Sequence, residues 1–486
     1  MISRQFLRHS IETCISSILL YYAFDIDYNG WILAVTSFVI MLDIIEKTSD
    51  KKSMLLYETL FVSVFISLQY IFVIRIAFDN ILSLFVIIII MVMYLVPLLL
   101  LSNGATANNK DIIFLTSYLI SEYMFSHSSI GNQMFQLGVT LGGSKYIIQF
   151  YEFAGPYMGS LWIMIVSYGL FNLLRGHLLY GLFVFVLLLS SIISGIGLYK
   201  DKNEDGKNIL VSAAAVNSSS QLDSLLYSYA DSSEYLILPE AIAEIQDGNV
   251  RTNPLITKLY RFAANNNINI ITGLYVRDDK ELYNNVYTIS SSLDYVRSKE
   301  ILIAFAEYFP WHFGMKLSKE ITSRLPRMIH RLDNKENVYD DGKIKYSPII
   351  CYETLFSDFI NKLCQEGAEV FFVSSSNSYI DSDHIEAITQ KIVQLNAVLC
   401  SRYFVRSTEN GRSFIVNCNG EIIERSCYIP SIITSRIKTN RRLTFYSLHH
   451  ELIDVFYYIM LIIGYILTLI YGNKQLATKV EPVLKK

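Results

Sequence analysis

Long apolar runs broken by short polar stretches fill the first part of the chain. Runs near 11–25, 30–46, 56–78, 81–102, 111–125, 156–174 and 178–198 are apolar along most of their length, and an eighth, "LIDVFYYIMLIIGYILTLIYG", covers 452–472. A helix needs about 20 apolar residues to cross the ~30 Å hydrocarbon core of a bilayer. The pattern therefore predicts eight transmembrane helices, of which the first, second and fifth are the shortest against that requirement. Between 205 and 445 the pattern changes to short apolar runs alternating with amphipathic stretches. "YLILPEA", "INIITGLYV", "NNVYTIS", "KEILIAFAEY", "SPIICYE", "EVFFVSSSN", "YFVRSTENG" and "RSFIVNCNGEII" read as strands. "NPLITKLYRFAANNN", "ETLFSDFINKLCQEGA" and "HIEAITQKIVQLNAVLCS" read as helices, with apolar positions three and four apart. Such alternation predicts an α/β domain around a buried sheet. The expected organisation is a membrane domain over 1–200, an α/β domain over 201–445, and a last span with a basic tail over 446–486.

Composition agrees with that division: 52% of the 486 residues are hydrophobic and only 17% charged, a balance typical of membrane proteins. Charge then orients the spans. With the N-terminus inside, the inner segments carry Arg4, Arg8, Lys47, Lys51, Lys52, Lys110 and Arg175, and the tail adds Lys474, Lys479, Lys485 and Lys486. The short outer loops hold only Lys145, with Arg75 near an outer helix end. Lysine and arginine gather on the cytoplasmic side of membrane proteins, and an odd number of spans then places the α/β domain outside the cytoplasm. A cleaved signal peptide also fits Arg4 and Arg8 ahead of an apolar run, but no small-x-small cleavage site follows. The net charge of -3 gives no support for a nucleic-acid partner. The six cysteines form no CxxC pair, so neither a metal site nor a disulfide framework is expected, although a pair among Cys400, Cys418 and Cys427 stays open.

The candidate chemistry lies at the strand boundaries of the α/β domain, where such folds collect it. Cys351 ends the apolar run of "PIICYETLF", Glu240 follows "YLILP", and Lys299 stands ahead of "EILIAFAEY" with Glu307 eight residues on. Each has an ordinary reading: a core thiol, a first-turn helix acid, a solvated lysine, a strand-end ion-pair partner. Together they make a nucleophilic site. A carboxylate such as Glu240 can take the thiol proton of Cys351, and a fixed ammonium such as Lys299 can stabilise the oxyanion formed on attack at an ester or amide carbonyl.

Glu, Lys and Cys in this order on an α/β domain resemble the nitrilase (carbon-nitrogen hydrolase) superfamily. With seven spans before and one after, the whole chain resembles the apolipoprotein N-acyltransferase family. In "LPEA" Glu240 matches the family's general base. In "KEILIAFAEYFP" Lys299, Leu302, Phe305, Glu307 and Tyr308 match its lysine motif. In "CYETLF" Cys351 matches the nucleophile, followed by Tyr352 and Glu353. "SRYFVRSTENGRS" resembles the family's arginine-rich strand and turn through Arg402, Arg406, Gly411 and Ser413, and "YIIQFYEFAGPYMGSLW" its Gln-then-Gly stretch before a span. The chain departs from the pattern at Ala304 and Ala306, where Pro and Gly are usual, and at "SYIDSDH" after Asn377, where an Asp and a Trp are usual. It also lacks a Lys-Trp pair after the first strand.

The resemblance implies a nitrilase-like sandwich on the periplasmic side of a bacterial inner membrane and a cofactor-free acyl transfer. An acyl chain would pass from a phospholipid, with phosphatidylethanolamine the family's usual donor, through a thioester on Cys351 to the amino group of a diacylated apolipoprotein. Glu307, Tyr352 and Glu353 would support the site, Glu307 and Glu353 positioning Lys299 and the incoming amine. Phe309, Trp311, Phe313 and Met315 in "EYFPWHFGM" fit either a lipid-facing arm or a loop packed on its own core. The nearest rival is a membrane-anchored nitrilase-type amidase or hydrolase with the same residues. A transporter or receptor with an extracytoplasmic sensing domain is less well supported. The spans hold few ionisable groups, and Asp43, Glu58, Arg75 and Glu122 read as interfacial.

Overall fold

The computed structural model describes residues 4–72, 80–200, 205–229, 233–246, 250–278, 281–290, 293–308, 329–330, 336–378 and 382–480. Each apolar run of the first part holds a helix among the described residues. The helices are α1 (Arg4–Asp25), α2 (Trp31–Lys47), α3 (Lys51–Tyr70), α4 (Asn80–Ser102), α5 (Lys110–Ser126), α6 (Tyr157–Leu174) and α7 (Leu178–Lys200). Asp50 starts α3 by accepting the Ser53 N–H at 2.8 Å, satisfying a donor that the first turn leaves free. One face of each helix packs inward around Leu20, Phe24, Phe38, Phe61, Phe65, Tyr118 and Ile163. The other faces stay apolar and open: on α7, Leu179 is 80% and Leu182 60% exposed. An apolar surface of that extent is expected where the surroundings are lipid.

Five of the described helical stretches are long and apolar enough to cross a membrane: Lys51–Tyr70, Ser83–Ser102, Tyr157–Leu174, Leu178–Tyr199 and Phe445–Ile470. The other three predicted spans fall short for physical reasons. Helices α2 and α5 have 17 residues each, and α1 carries the polar residues His9, Ser10, Glu12, Thr13, Ser16 and Ser17 along its length. Two of the carboxylates expected at the interface are elsewhere: Glu58 and Glu122 are buried in the bundle, and Glu122 accepts the Leu137 N–H at 2.8 Å. Asp43 pairs with Lys47 on an exposed face, while Arg75 lies outside the described residues.

The α/β part is one twisted sheet. Its main strands are β1 (Asn208–Val216), β2 (Tyr235–Ile237), β3 (Asn269–Asp278), β4 (Glu281–Ile289), β5 (Leu293–Ser298), β6 (Lys345–Ile350), β7 (Val370–Ser376), β8 (Tyr403–Glu409), β9 (Phe414–Val416), β10 (Ile422–Arg425) and β11 (Ser431–Lys438). Along the sheet they run β5-β4-β3-β2-β1-β8-β7-β6. The six strands from β3 to β6 in that order are mutually parallel, with Val211 beside Tyr235, Phe371 beside Phe404 and Val373 beside Ile349. Their carboxyl ends therefore open on one edge. The helices of this part are α8 (Ser219–Ser228), α9 (Pro254–Asn266), α10 (Ser357–Gln365) and α11 (Asp383–Cys400), and α12 (Phe445–Val480) leads back to the bundle with a break at His449.

The run "KEILIAFAEY" is not a strand. The strand is β5, which ends at Ser298, and residues 299–308 form a loop closed by the Ile303 carbonyl, which accepts the N–H groups of Ala306 and Glu307. All six cysteines are free thiols, which removes the pairing left open among Cys400, Cys418 and Cys427.

Helix α11 locks the sheet onto the bundle. Lys391 donates from Nζ to the Ala23 and Phe24 carbonyls at the end of α1, at 3.0 and 2.8 Å. His384 lies 2.7 Å from Asp25 and 2.6 Å from Gln69, stacked on Tyr21.

Candidate active site

Three chain segments meet where the parallel strands end. Beyond β2 the chain passes through Leu238 and Pro239 to Glu240, whose N–H donates to the Ser375 carbonyl at 3.1 Å. Strand β3 approaches this backbone so closely that a Cβ on Gly273 would sit 2.7 Å from the Glu240 Cα; only glycine fits. The Glu240 carboxylate accepts from Asn284 Nδ2 at 2.7 Å and lies 3.4 Å from Lys299 Nζ. Lys299, just past β5, is tied through its N–H to the Asn284 carbonyl. Its ammonium donates to Glu307 Oε1 at 2.7 Å, and Glu307 Oε2 accepts the Ile303 N–H. One lysine thus stands between two carboxylates, fully buried.

Cys351 is the first residue after β6 and opens a short 3-10 turn, Cys351–Leu355. Its φ of +43° lies in the left-handed region that a non-glycine residue enters at a cost. Ala241, next to Glu240, and Phe305, in the Lys299 loop, share that conformation at φ +57° and +63°. All three strained residues therefore flank the same site. The Cys351 thiol reaches the Ser376 carbonyl at 3.7 Å.

The elbow is held by Glu353. Its oxygens accept the Ile350 N–H at 2.9 Å and the Glu300 N–H at 2.7 Å, and both pair with the Arg297 guanidinium at 2.8 Å. Arg297 and Glu353 are both 0% exposed. Of the two carboxylates expected to position Lys299 and an incoming amine, Glu353 has its oxygens already engaged and is absent from the cavity lining. Glu307 is the group beside Lys299. Tyr352 turns into the cavity, edge-on to Phe356 at 5.1 Å.

Burial and the Glu240 charge push the Cys351 thiol up to about 12, against the opposing pull of Lys299. The resting thiol is therefore protonated, and a base must take its proton as it attacks. Burial works against the Lys299 ammonium, but Glu240, Glu307 and Cys351 together outweigh it and hold its pKa well above the ordinary lysine value. Burial raises the Glu307 carboxyl, with Lys299 pulling the other way.

The thiol opens into a cavity of about 120 Å³ with an unusual mixture of walls. Tyr70, Phe72, Val86 and Ile90 come from the membrane bundle, Ile130, Asn132 and Met134 from the segment after α5, and Ala304–Ala306, Ser375, Asn377 and Arg406 from the α/β part. The bundle walls, Asn284, Arg297 and Gly273 were not anticipated from sequence. A lone glycine in "IITGLYV" was the one available signal. The aromatic run Phe309–Met315 lies outside the described residues.

Residues 16–169 match the apolipoprotein N-acyltransferase N-terminal domain, and residues 226–438 match the carbon-nitrogen hydrolase domain. Among curated relatives, the chain is similar to apolipoprotein N-acyltransferase of Haemophilus ducreyi, 24% identical over 240 residues, which cover 46% of each chain. It is also similar to that of Borreliella burgdorferi, 22% identical over 231 residues, covering 46% of this chain and 44% of the relative. The matched region thus spans about half the length of these curated relatives. Among solved structures, Saccharomyces cerevisiae Nit3, a nitrilase-superfamily member, aligns over 48% of this chain and 90% of its own at 13% identity, with a TM-score of 0.37. The two domain matches fall in the order and on the two halves in which the bundle and the Glu240–Lys299–Cys351 site occur. The chain belongs to the apolipoprotein N-acyltransferase family, with a catalytic half of the nitrilase superfamily.

Proposed function

We propose that the chain transfers a fatty acyl group from a phospholipid, through a thioester on Cys351, to the N-terminal amino group of a diacylglyceryl-cysteine on an apolipoprotein. The observation that carries this reading is the cavity itself: a buried thiol with a carboxylate base and an ammonium, walled on one side by membrane helices. Glu240 takes the Cys351 proton as sulfur attacks the ester carbon. Lys299 Nζ and the Tyr352 N–H hold the oxyanion, the C–O bond breaks, and Glu240 returns the proton to the departing lysophospholipid. The acceptor amine then attacks the thioester, Glu240 removes its proton, and the C–S bond breaks to restore the thiol. Glu307 positions Lys299, and Glu353 fixes the elbow.

Substrates anchored by acyl chains suit a site walled by the bundle, since each buried CH₂ holds a lipid in the bilayer by roughly 0.8 kcal/mol. The wider reading comprises eight spans with boundaries at 200 and 445, a periplasmic catalytic domain, and phosphatidylethanolamine as donor. The charge asymmetry of the loops and the names of the relatives support it. A hydrolase would use the same residues with water as acceptor.

Intact-mass spectrometry of the full chain with phosphatidylethanolamine, beside Cys351→Ala, separates the readings. The expected result is an added acyl mass, absent in the variant and discharged by a diacylated lipopeptide but not by water alone. Discharge by water at the same rate would establish the hydrolase. Absence of any adduct would refute acyl transfer through Cys351.

A further inference from the structure

The three largest fully buried side chains are arginines, and two of them are fully explained. Arg297 forms the bidentate pair with Glu353. Arg402 donates to the carbonyls of Ala368, Cys400, Ser401 and Arg442 at 2.7–3.2 Å, tying together strand and helix ends. Arg406 differs from both. Its hydrogen bonds go to Ser375 Oγ at 3.3 Å, the Arg412 carbonyl at 3.3 Å and Asn377 Oδ1 at 3.4 Å, all neutral and all long. Among the described residues no carboxylate lies within ion-pair distance of it, and its flat face rests on Phe414 at 5.2 Å. Unlike the other two, it lines the cavity that holds Cys351.

A buried cation with only long neutral partners is costly unless something anionic completes its shell. A guanidinium has five N–H donors, of which these contacts use three. The cavity is polarised in a matching sense. Its lining from the bundle includes Tyr70, Phe72, Val86 and Ile90, whereas the α/β part contributes the polar Ser375, Asn377 and Arg406, with Cys351 also on its wall. Asn377 is shared with a second, solvent-facing cleft lined by Ser378, Asp383, Glu386, Asn410 and Arg412. A chain molecule with an apolar tail, an ester and an anionic head would lie along this gradient.

We propose that Arg406, with Asn377 and Ser375, is the subsite for the phosphodiester of the acyl donor. The inference rests on the acyl-transfer reading above. The tail lies toward α3 and α4, the ester meets Cys351, and the phosphate oxygens take the two free N–H groups of Arg406. The head group then leaves through the polar cleft beyond Asn377. Selection is for the phosphodiester, the planar fork of arginine suiting two oxygens of one phosphate.

The test compares two donors on the full-length protein in micelles: phosphatidylethanolamine and an uncharged fatty acyl p-nitrophenyl ester. The rate of thioester formation on Cys351 is read by intact mass for wild type, Arg406→Lys and Arg406→Gln. The expected result is a ratio of phospholipid to neutral-ester rate that falls at least tenfold in Arg406→Gln, chiefly through KM, and less in Arg406→Lys. An unchanged ratio, whether both rates fall together or neither does, overturns the assignment. A second arm needs no variant and covers a failure to fold. Glycerophosphoethanolamine, which has the phosphodiester but no acyl chain, should slow alkylation of wild-type Cys351, and uncharged diglycerol should not. Equal protection by both, or by neither, also overturns it. If neither donor acylates wild-type Cys351, the acyl-transfer reading fails, while the alkylation arm still reads the anion subsite.

Discussion

At the scale of single residues, the candidate nucleophile is held as a neutral thiol beside a carboxylate and an ammonium. A free cysteine titrates near 8.5, whereas burial and the Glu240 carboxylate push Cys351 up to about 12 despite Lys299. The raised value means that the neutral thiol persists as pH rises, and the thiolate fraction keeps growing throughout the alkaline range. Alkylation of Cys351 by iodoacetamide, followed by peptide mass spectrometry, should therefore climb about tenfold per pH unit from 7 to 10 without levelling. A plateau near pH 8.5 would mean an unperturbed thiol, and one below 7 a resting thiolate. Only the resting thiolate would remove the need for Glu240 as base; the unperturbed thiol would deny that burial raises it. Glu240 and Cys351 were legible in sequence because each follows an apolar run at its end, and Lys299 because it stands ahead of one. The role of Glu353 was not, because its partner Arg297 is 56 residues away in the chain and only the fold brings the two together.

At the scale of elements, the site depends on two close fits of backbone. Strand β3 passes Glu240 with room for hydrogen alone at Gly273. Gly273→Ala must push β3 or the base aside, and a displacement of about 1 Å at reacting groups costs on the order of a hundredfold in rate. The expected outcome is that loss in turnover with a stability cost of roughly 1–3 kcal/mol, read by thermal unfolding. Full activity would show that the backbone yields freely. The second fit is the elbow. Glu353→Ala strands the buried Arg297 charge and should destabilise the protein by about 3–5 kcal/mol, whereas replacing both partners with apolar residues should recover much of that. A double-mutant cycle in detergent measures this, and equal losses in the single and double variants would deny the pairing its role. Most elements were legible as well: each of the eight apolar runs holds a helix among the described residues, and the strands ending at Ile237, Ile350 and Ser376 lie on predicted runs. "KEILIAFAEY" misled because its apolar side chains serve another purpose. Ile303, Ala304 and Phe305 line the cavity, and periodicity cannot distinguish a residue buried against a ligand space from one buried in a sheet. Five of the eight expected spans meet the length and apolarity of a crossing helix, and α2 and α5, at 17 residues each, are shorter than that.

For the whole molecule, what matters is that the sheet and the bundle share one cavity, so the position of the thiol relative to the membrane is fixed by docking rather than by a tether. Lys391 and His384 fasten α11 to the ends of α1 and α3, and Tyr308 donates to the Ser129 carbonyl at 2.7 Å. The side of the membrane on which this unit sits then decides which lipids it meets, and the basic residues of the inner loops argue for the outer face. Nature has left a reporter for this. Of the six cysteines, Cys427 alone is exposed, in the turn before β11, while Cys364, Cys400 and Cys418 are buried. A membrane-impermeant maleimide applied to intact spheroplasts should label Cys427 before lysis, and Cys427→Ser should abolish that signal while leaving the cavity untouched. Labelling that requires permeabilisation would place the catalytic half in the cytoplasm and would overturn the odd number of spans before residue 205. Labelling that persists in Cys427→Ser would come from Cys14 or Cys351, the two half-buried thiols, and adding Cys351→Ala tells them apart: loss of the remaining label would show that the cavity admits a polar reagent from the same side.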